Sequence, residues 1–203
     1  MPGSGPVIDC RPPQRRRLAG TLPFSALMAL CLSAPANSEQ PATSVAERSD
    51  GARDFDFEIG RWKTELRRLK KPLSGSSEWI RYSGTTAVTS IWGGKANLVE
   101  LDVDGPAGRL QALSLRLYNP ETREWTLNFA NAAGGALGVP SVGAFRNGRG
   151  EFYSHEPFGD RTVLVRFVIS DIKADSVRFE QAFSVDGGRS WEINWVAVDT
   201  RLP

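Results

Sequence analysis

The run Ser176 to Val198, SVRFEQAFSVDGGRSWEINWVAV, leaves few folds open to this chain. Two alternating stretches flank Asp186-Gly187-Gly188, and glycine supplies the positive φ that a tight turn between antiparallel strands requires. Phe179, Phe183, Trp191 and Trp195 load the two strands. A hairpin this apolar is not stable alone and must bury a face against more sheet.

The rest of the sequence supplies that sheet. Short apolar runs cover Trp62 to Lys70, Ser77 to Tyr82, Thr86 to Trp92, Asn97 to Val103 and Leu110 to Leu117. More follow over Trp125 to Ala130, Val142 to Arg146, Glu151 to Ser154 and Thr162 to Ile169. Turn chemistry bounds them, as in Gly93-Gly94, Asp104-Gly105-Pro106, Asn119-Pro120 and Asn147-Gly148. No segment carries apolar residues at helical spacing over three turns; Asp54 to Ile59 is the one place for a short helical turn. The reading is all-β: a single closed or nearly closed antiparallel up-and-down barrel of about 8–10 strands. Thr162 to Ile169, TVLVRFVI, is apolar on both faces, so its outer side must be covered by the chain or by a second copy.

The N-terminus reads differently. Arg15-Arg16-Arg17 precedes a mostly apolar stretch from Leu18 to Ala34, and Ala34-Pro35-Ala36 offers a small-x-small cleavage site. Residues 1–36 are therefore read as a signal peptide cleaved near Ala36, 37–53 as a flexible linker, and 54–203 as the barrel domain. The expected location is periplasmic or secreted, with no stable membrane insertion after cleavage. Beyond residue 36 the chain has 21 basic and 22 acidic residues, a net charge of −1 that gives no long-range attraction for nucleic acid. Both cysteines, Cys10 and Cys31, fall in the leader. The domain then has no thiol nucleophile and no Cys/His cluster for a metal, and no cofactor is expected.

Gly60-x-Trp62 at the start of the first strand, with Arg201 near the end of the last, resembles the signature of lipocalin and wider calycin barrels. That resemblance implies that the tryptophan plugs the closed end and that the arginine covers its ring. Ser184-x-Asp186-x-Gly188-x-Ser190-Trp191 resembles the Asp-box, a turn motif in which Asp and Ser bind backbone amides. FDFEIGRWKTELRRLK (Phe55 to Lys70), Ser77-Glu78-Trp79, LRLYNPETREW (Leu115 to Trp125) and Phe179 to Trp195 together resemble a family of small bacterial β-barrels classed as a domain of unknown function. The family implies a calycin-like barrel and brings no catalytic residue.

Six polar residues embedded in apolar runs are the candidate ligand-binding set: Glu100, Arg116, Asn128, Arg166, Glu180 and Asn194. Arg and Glu are seldom buried unpaired, so inward-facing Arg116 and Arg166 would need Glu100 and Glu180 as partners. Such groups would form a polar floor in an apolar cavity and orient a small hydrophobic molecule. Three alternatives stand beside this. The first is an enzyme using Glu100 or Glu180 as base on a hydrophobic substrate. The second is a haem-binding barrel using the sole histidine, His155, as in nitrobindin-like proteins. The third is a structural homodimer seamed along Thr162 to Ile169. The loop 131–143, small and uncharged, is a candidate lid over the barrel mouth.

Overall fold

The computed structural model describes residues 50–203. The expected signal peptide, its cleavage near Ala36 and residues 37–49 of the expected linker lie outside the described residues.

Ten antiparallel strands form one closed barrel: β1 (Gly60–Leu69), β2 (Trp79–Ile91), β3 (Ala96–Gly105), β4 (Gly108–Asn119), β5 (Glu124–Asn131), β6 (Ser141–Arg146), β7 (Arg149–Phe158), β8 (Arg161–Ser170), β9 (Ser176–Ser184) and β10 (Glu192–Arg201). Each strand pairs with its neighbours in sequence, and β10 returns to β1 with Trp62 opposite Arg201 and Thr64 opposite Asp199. Closure gives every strand two neighbours, which reduces the hazard of edge-to-edge association. A single 3₁₀ turn, Asp56–Glu58, leads into β1 as the sequence suggests.

Two apolar runs, Ser77 to Tyr82 and Thr86 to Trp92, prove to be one strand, β2. Gly84 in its middle is a point of close approach rather than a turn. A Cβ there would overlap the carbonyl oxygen of Asp102 and lie 2.7 Å from the Cα of Val103. Without a side chain, β2 bends tightly over β3 while the ladder continues from Ser83 to Ile91.

The strands alternate between two faces, and the inner face defines two ends. At one end the connections are short, and residues 50–59 fold across the opening. There Phe55 is buried against Trp125 at 4.9 Å between ring centroids and Phe145 at 5.0 Å, both edge-on, with Phe152 at 6.0 Å. Trp62 is fully buried, and its indole N–H donates to the Glu58 carbonyl oxygen at 2.7 Å. Arg201 lies over the Trp62 ring at 4.1 Å and donates to the carbonyl oxygens of Ile59, Ala174 and Phe57. Gly60 makes room for it: at φ 129° its backbone is in a region side chains avoid, and a Cβ would sit 2.9 Å from Arg201 Nη1. The calycin-like plug is thus present in this chain.

The hairpin turn after β9 is the expected Asp-box scaffold. The Ser184 hydroxyl accepts from the Gly188 amide at 2.8 Å, and Asp186 accepts from the Ser190 amide at 2.9 Å and the Ser190 hydroxyl at 2.6 Å. The Ser190 hydroxyl first, then the Ser190 amide and the Ser184 hydroxyl, hold the half-buried Asp186 carboxyl well below the usual carboxylate range. Trp191, at the end of the turn, folds onto the outside of β7 and β8. It packs against Tyr153, and Arg166 lies over its ring at 4.4 Å. The outer face of β8 is therefore covered at Arg166 by the chain's own turn, which accounts for part of the two-sided apolar pattern of TVLVRFVI.

Candidate functional site

Between the plugged end and the opposite rim lies a cavity of about 590 Å³. Its walls are apolar: Leu66 from β1, Leu101 from β3, Leu127 and Phe129 from β5, Phe167 from β8, and Phe179 and Phe183 from β9. Alternation places them there, since every second residue of each strand faces inward. Toward the mouth the wall includes Lys70, Pro72, Val139 and Phe158.

The floor is polar, and Arg116 is its anchor. Counting by twos along β4, Ala112, Ser114 and Arg116 all line the cavity. The guanidinium is 4 % exposed and pairs with Glu58, which is 1 % exposed; both Arg116 terminal nitrogens reach the carboxylate, Nη2 at 3.3 Å from Oε1. Phe55 lies beneath Arg116, its ring centroid 4.3 Å from Cζ. The 3₁₀ turn that precedes β1 delivers Glu58, so the segment that plugs the barrel also neutralises its inward arginine.

Beside this pair sits a second polar group. Thr64 and Thr86 face each other across β1 and β2, their hydroxyls 2.6 Å apart. Asp199, opposite Thr64 on β10, is 2 % exposed, and its Oδ1 is buried without a partner. Burial pushes the Asp199 carboxyl up to about 7; the Glu58 charge pushes the same way, while hydrogen bonds from Thr64 and Thr86 and the Arg116 charge oppose it. Higher on β10 the pairing slips between Ile193 and Trp195, a bulge that brings Asn194 onto the cavity wall together with Trp195. Asn194 accepts from Gln181 Nε2 at 2.9 Å, and its own Nδ2 is buried without a partner.

Of the six candidate residues, the structure brings Arg116 and Asn194 to the cavity and leaves four off its wall. Glu100 is exposed and borders a shallower depression of about 470 Å³ beneath residues 131–137. Asn128 alternates with the inward Leu127 and Phe129, and its amide donates to the Leu115 carbonyl oxygen at 3.0 Å. Arg166 and Glu180 neighbour the inward Phe167 and Phe179 and so point outward, Arg166 onto Trp191 and Glu180 to Arg178 at 2.6 Å. The expected partners of Arg116 are replaced by Glu58. An acid–base site built on Glu100 and Glu180 loses its geometry, since neither faces the cavity. His155 is exposed on β7 between the inward Ser154 and Glu156, where it cannot reach a haem held inside. The sequence reading missed Glu58, Thr64, Thr86 and Asp199. A signal for three of them existed: parity counted from Trp62 and Arg201 along β1 and β10, and across to β2, puts all three inside.

The chain is a closed ten-stranded antiparallel barrel with an interior cavity. No protein-family model matches the chain, and no curated protein matches it in sequence. Among solved structures it is similar to the S-type phycobiliprotein lyase CPES of Guillardia theta, at 10% identity over 73% of this chain and 90% of that one, with a TM-score of 0.51. It is also similar to Rv2717c of M. tuberculosis, at 13% identity over 74% and 98%, TM-score 0.49. A de novo designed fluorescence-activating β-barrel aligns at 10% identity over 74% and 98%, TM-score 0.41. At these identities the likeness is one of fold.

Proposed function

We propose that this protein is an exported barrel that holds a small, mostly apolar molecule in its interior, and that it belongs with the small bacterial barrels of unknown function its strands resemble. The observation that carries the reading is the cavity itself: about 590 Å³, apolar on the walls, with the buried polar groups of Arg116, Glu58, Asp199 and Asn194 placed to orient a guest. That combination of volume and sparse convergent polar groups is typical of ligand sites rather than of filled structural barrels. Export rests on the basic and apolar leader ahead of residue 37. The fold shared with a phycobiliprotein lyase is consistent with a barrel used to hold a small molecule.

The test is binding of the neutral fluorophore N-phenyl-1-naphthylamine to residues 37–203. Wild type is expected to bind with a blue-shifted, saturable signal. Ser114→Trp, which fills the middle of the cavity, is expected to lose at least tenfold in affinity while keeping the wild-type circular dichroism. Equal binding by both proteins would place the fluorophore elsewhere and end the reading.

A further inference from the structure

We infer that the cavity floor accepts the cationic end of its guest, so that the ligand class is a hydrophobic amine, inserted head first, and not a carboxylate. The inference rests on the reading that the barrel holds a guest.

The floor carries three ionisable side chains: Glu58, Arg116 and Asp199. The only cation among them is already paired, because Glu58 takes both terminal nitrogens of Arg116; only its Nε is buried without a partner. The remaining cavity cations, Arg68 at the far end of β1 and Lys70 just beyond it, stand past Leu66 and toward the mouth. The floor therefore sums to zero with Asp199 protonated and to −1 with it ionised. A fatty-acid-like head placed there would meet two carboxylates and no free cation, at high cost in a water-poor site.

An ammonium meets the opposite situation. Asp199 lines the cavity and its Oδ1 is buried without a partner in the protein, so the carboxyl can take a further donor. The hydroxyls of Thr64 and Thr86 flank the same carboxyl and can accept the other ammonium protons. Desolvation already holds the carboxyl near 7, so an arriving cation replaces lost hydration and pulls its proton off. The groups that face Asp199 are Glu58 from the 3₁₀ turn, Arg116 from β4, Thr64 from β1 and Thr86 from β2, and of these only the paired Glu58 and Arg116 are charged. An alkylamine stays protonated across this range, so its affinity should rise by about tenfold between pH 6 and pH 8 as Asp199 ionises.

The experiment is displacement of bound N-phenyl-1-naphthylamine by decylamine, decanol and decanoate at pH 6 and pH 8. Decylamine is expected to displace the fluorophore at pH 8 at a concentration at least tenfold below decanoate, with decanol between. Asp199→Asn should bring decylamine to within about threefold of decanol and remove its pH dependence, with decanol unchanged. The wild-type pH profile tests the idea without any variant. Decanoate matching or beating decylamine would overturn the inference, and a decanoate preference lost in Arg68→Gln would seat the head at the rim instead. An amine preference untouched by Asp199→Asn would overturn it equally. If the fluorophore does not bind wild type at all, the interior-guest reading itself falls, a separate result.

Discussion

At one end of the barrel Phe55, Trp62 and Trp125 are 1 % exposed or less, and both indole N–H groups are spent on backbone carbonyls, of Glu58 and Gly51. At the other end Phe129, Leu137 and Val139 are 45 % to 57 % exposed, and Phe129 and Val139 face the cavity. The same alternating strands run through both regions. What differs is what crosses the opening. The segment 50–59 fills the first end with rings and supplies a counter-ion for Arg116, whereas the second is bordered by the glycine- and alanine-rich connection 132–140. Cohesion is concentrated at the plug, where aromatic burial and a paired charge are coupled, and free interior space is left toward the mouth.

Substitutions at the two ends should separate accordingly. The largest effect is expected from Arg116→Met alone, which leaves Glu58 buried without its partner and should cost about 3–5 kcal/mol of unfolding free energy by urea titration. Adding Glu58→Gln should recover part of that loss, since removing both charges is cheaper than orphaning one. Trp62→Ala should cost about 3–5 kcal/mol through the cavity it leaves and the stacked Arg201 it strips of its ring. If either single change proved mild, the plug would not be the seat of stability.

The next effect concerns pH. The folded Asp199 carboxyl binds its proton up to about 7, while the unfolded one releases it near 4, so between those values the folded state holds more protons. Stability should therefore be greatest below about pH 4 with respect to this group and fall as pH rises through 7, by about 4 kcal/mol at most. Asp199→Asn should flatten that slope and be more stable than wild type at pH 8; denaturant midpoints from pH 4 to 8 read both. The smallest effect belongs to the rim: Leu137→Ser is expected to change stability by no more than about 0.5 kcal/mol. A larger loss there would erase the contrast between the ends.

The barrel was legible because alternation, turn residues and the absence of helical periodicity agree along the whole domain. Gly60-x-Trp62 with Arg201 even located the plug. The interior was legible only in part. Arg166 looks buried in sequence because Val165 and Phe167 flank it, and Glu180 because it stands beside Phe179, yet Arg166 is covered outside by Trp191 and Glu180 pairs with Arg178 along the outer face. Asp199 was overlooked in VAVDTR although it stands two residues from Arg201, on the same face. Asn194 could not be assigned by parity at all, because the bulge beside Trp195 breaks the count. Glu58 comes from outside the strands, where alternation says nothing.

The most direct measurement is a crystal structure of residues 37–203 soaked with 10-bromodecan-1-ol, with the bromine located from its anomalous signal. The bromine is expected inside the barrel, among Phe129, Phe179 and Phe183, with the hydroxyl reaching the Asp199 carboxyl. Anomalous density confined to the outer surface, with the interior closed by repacked side chains, would contradict an internal binding site.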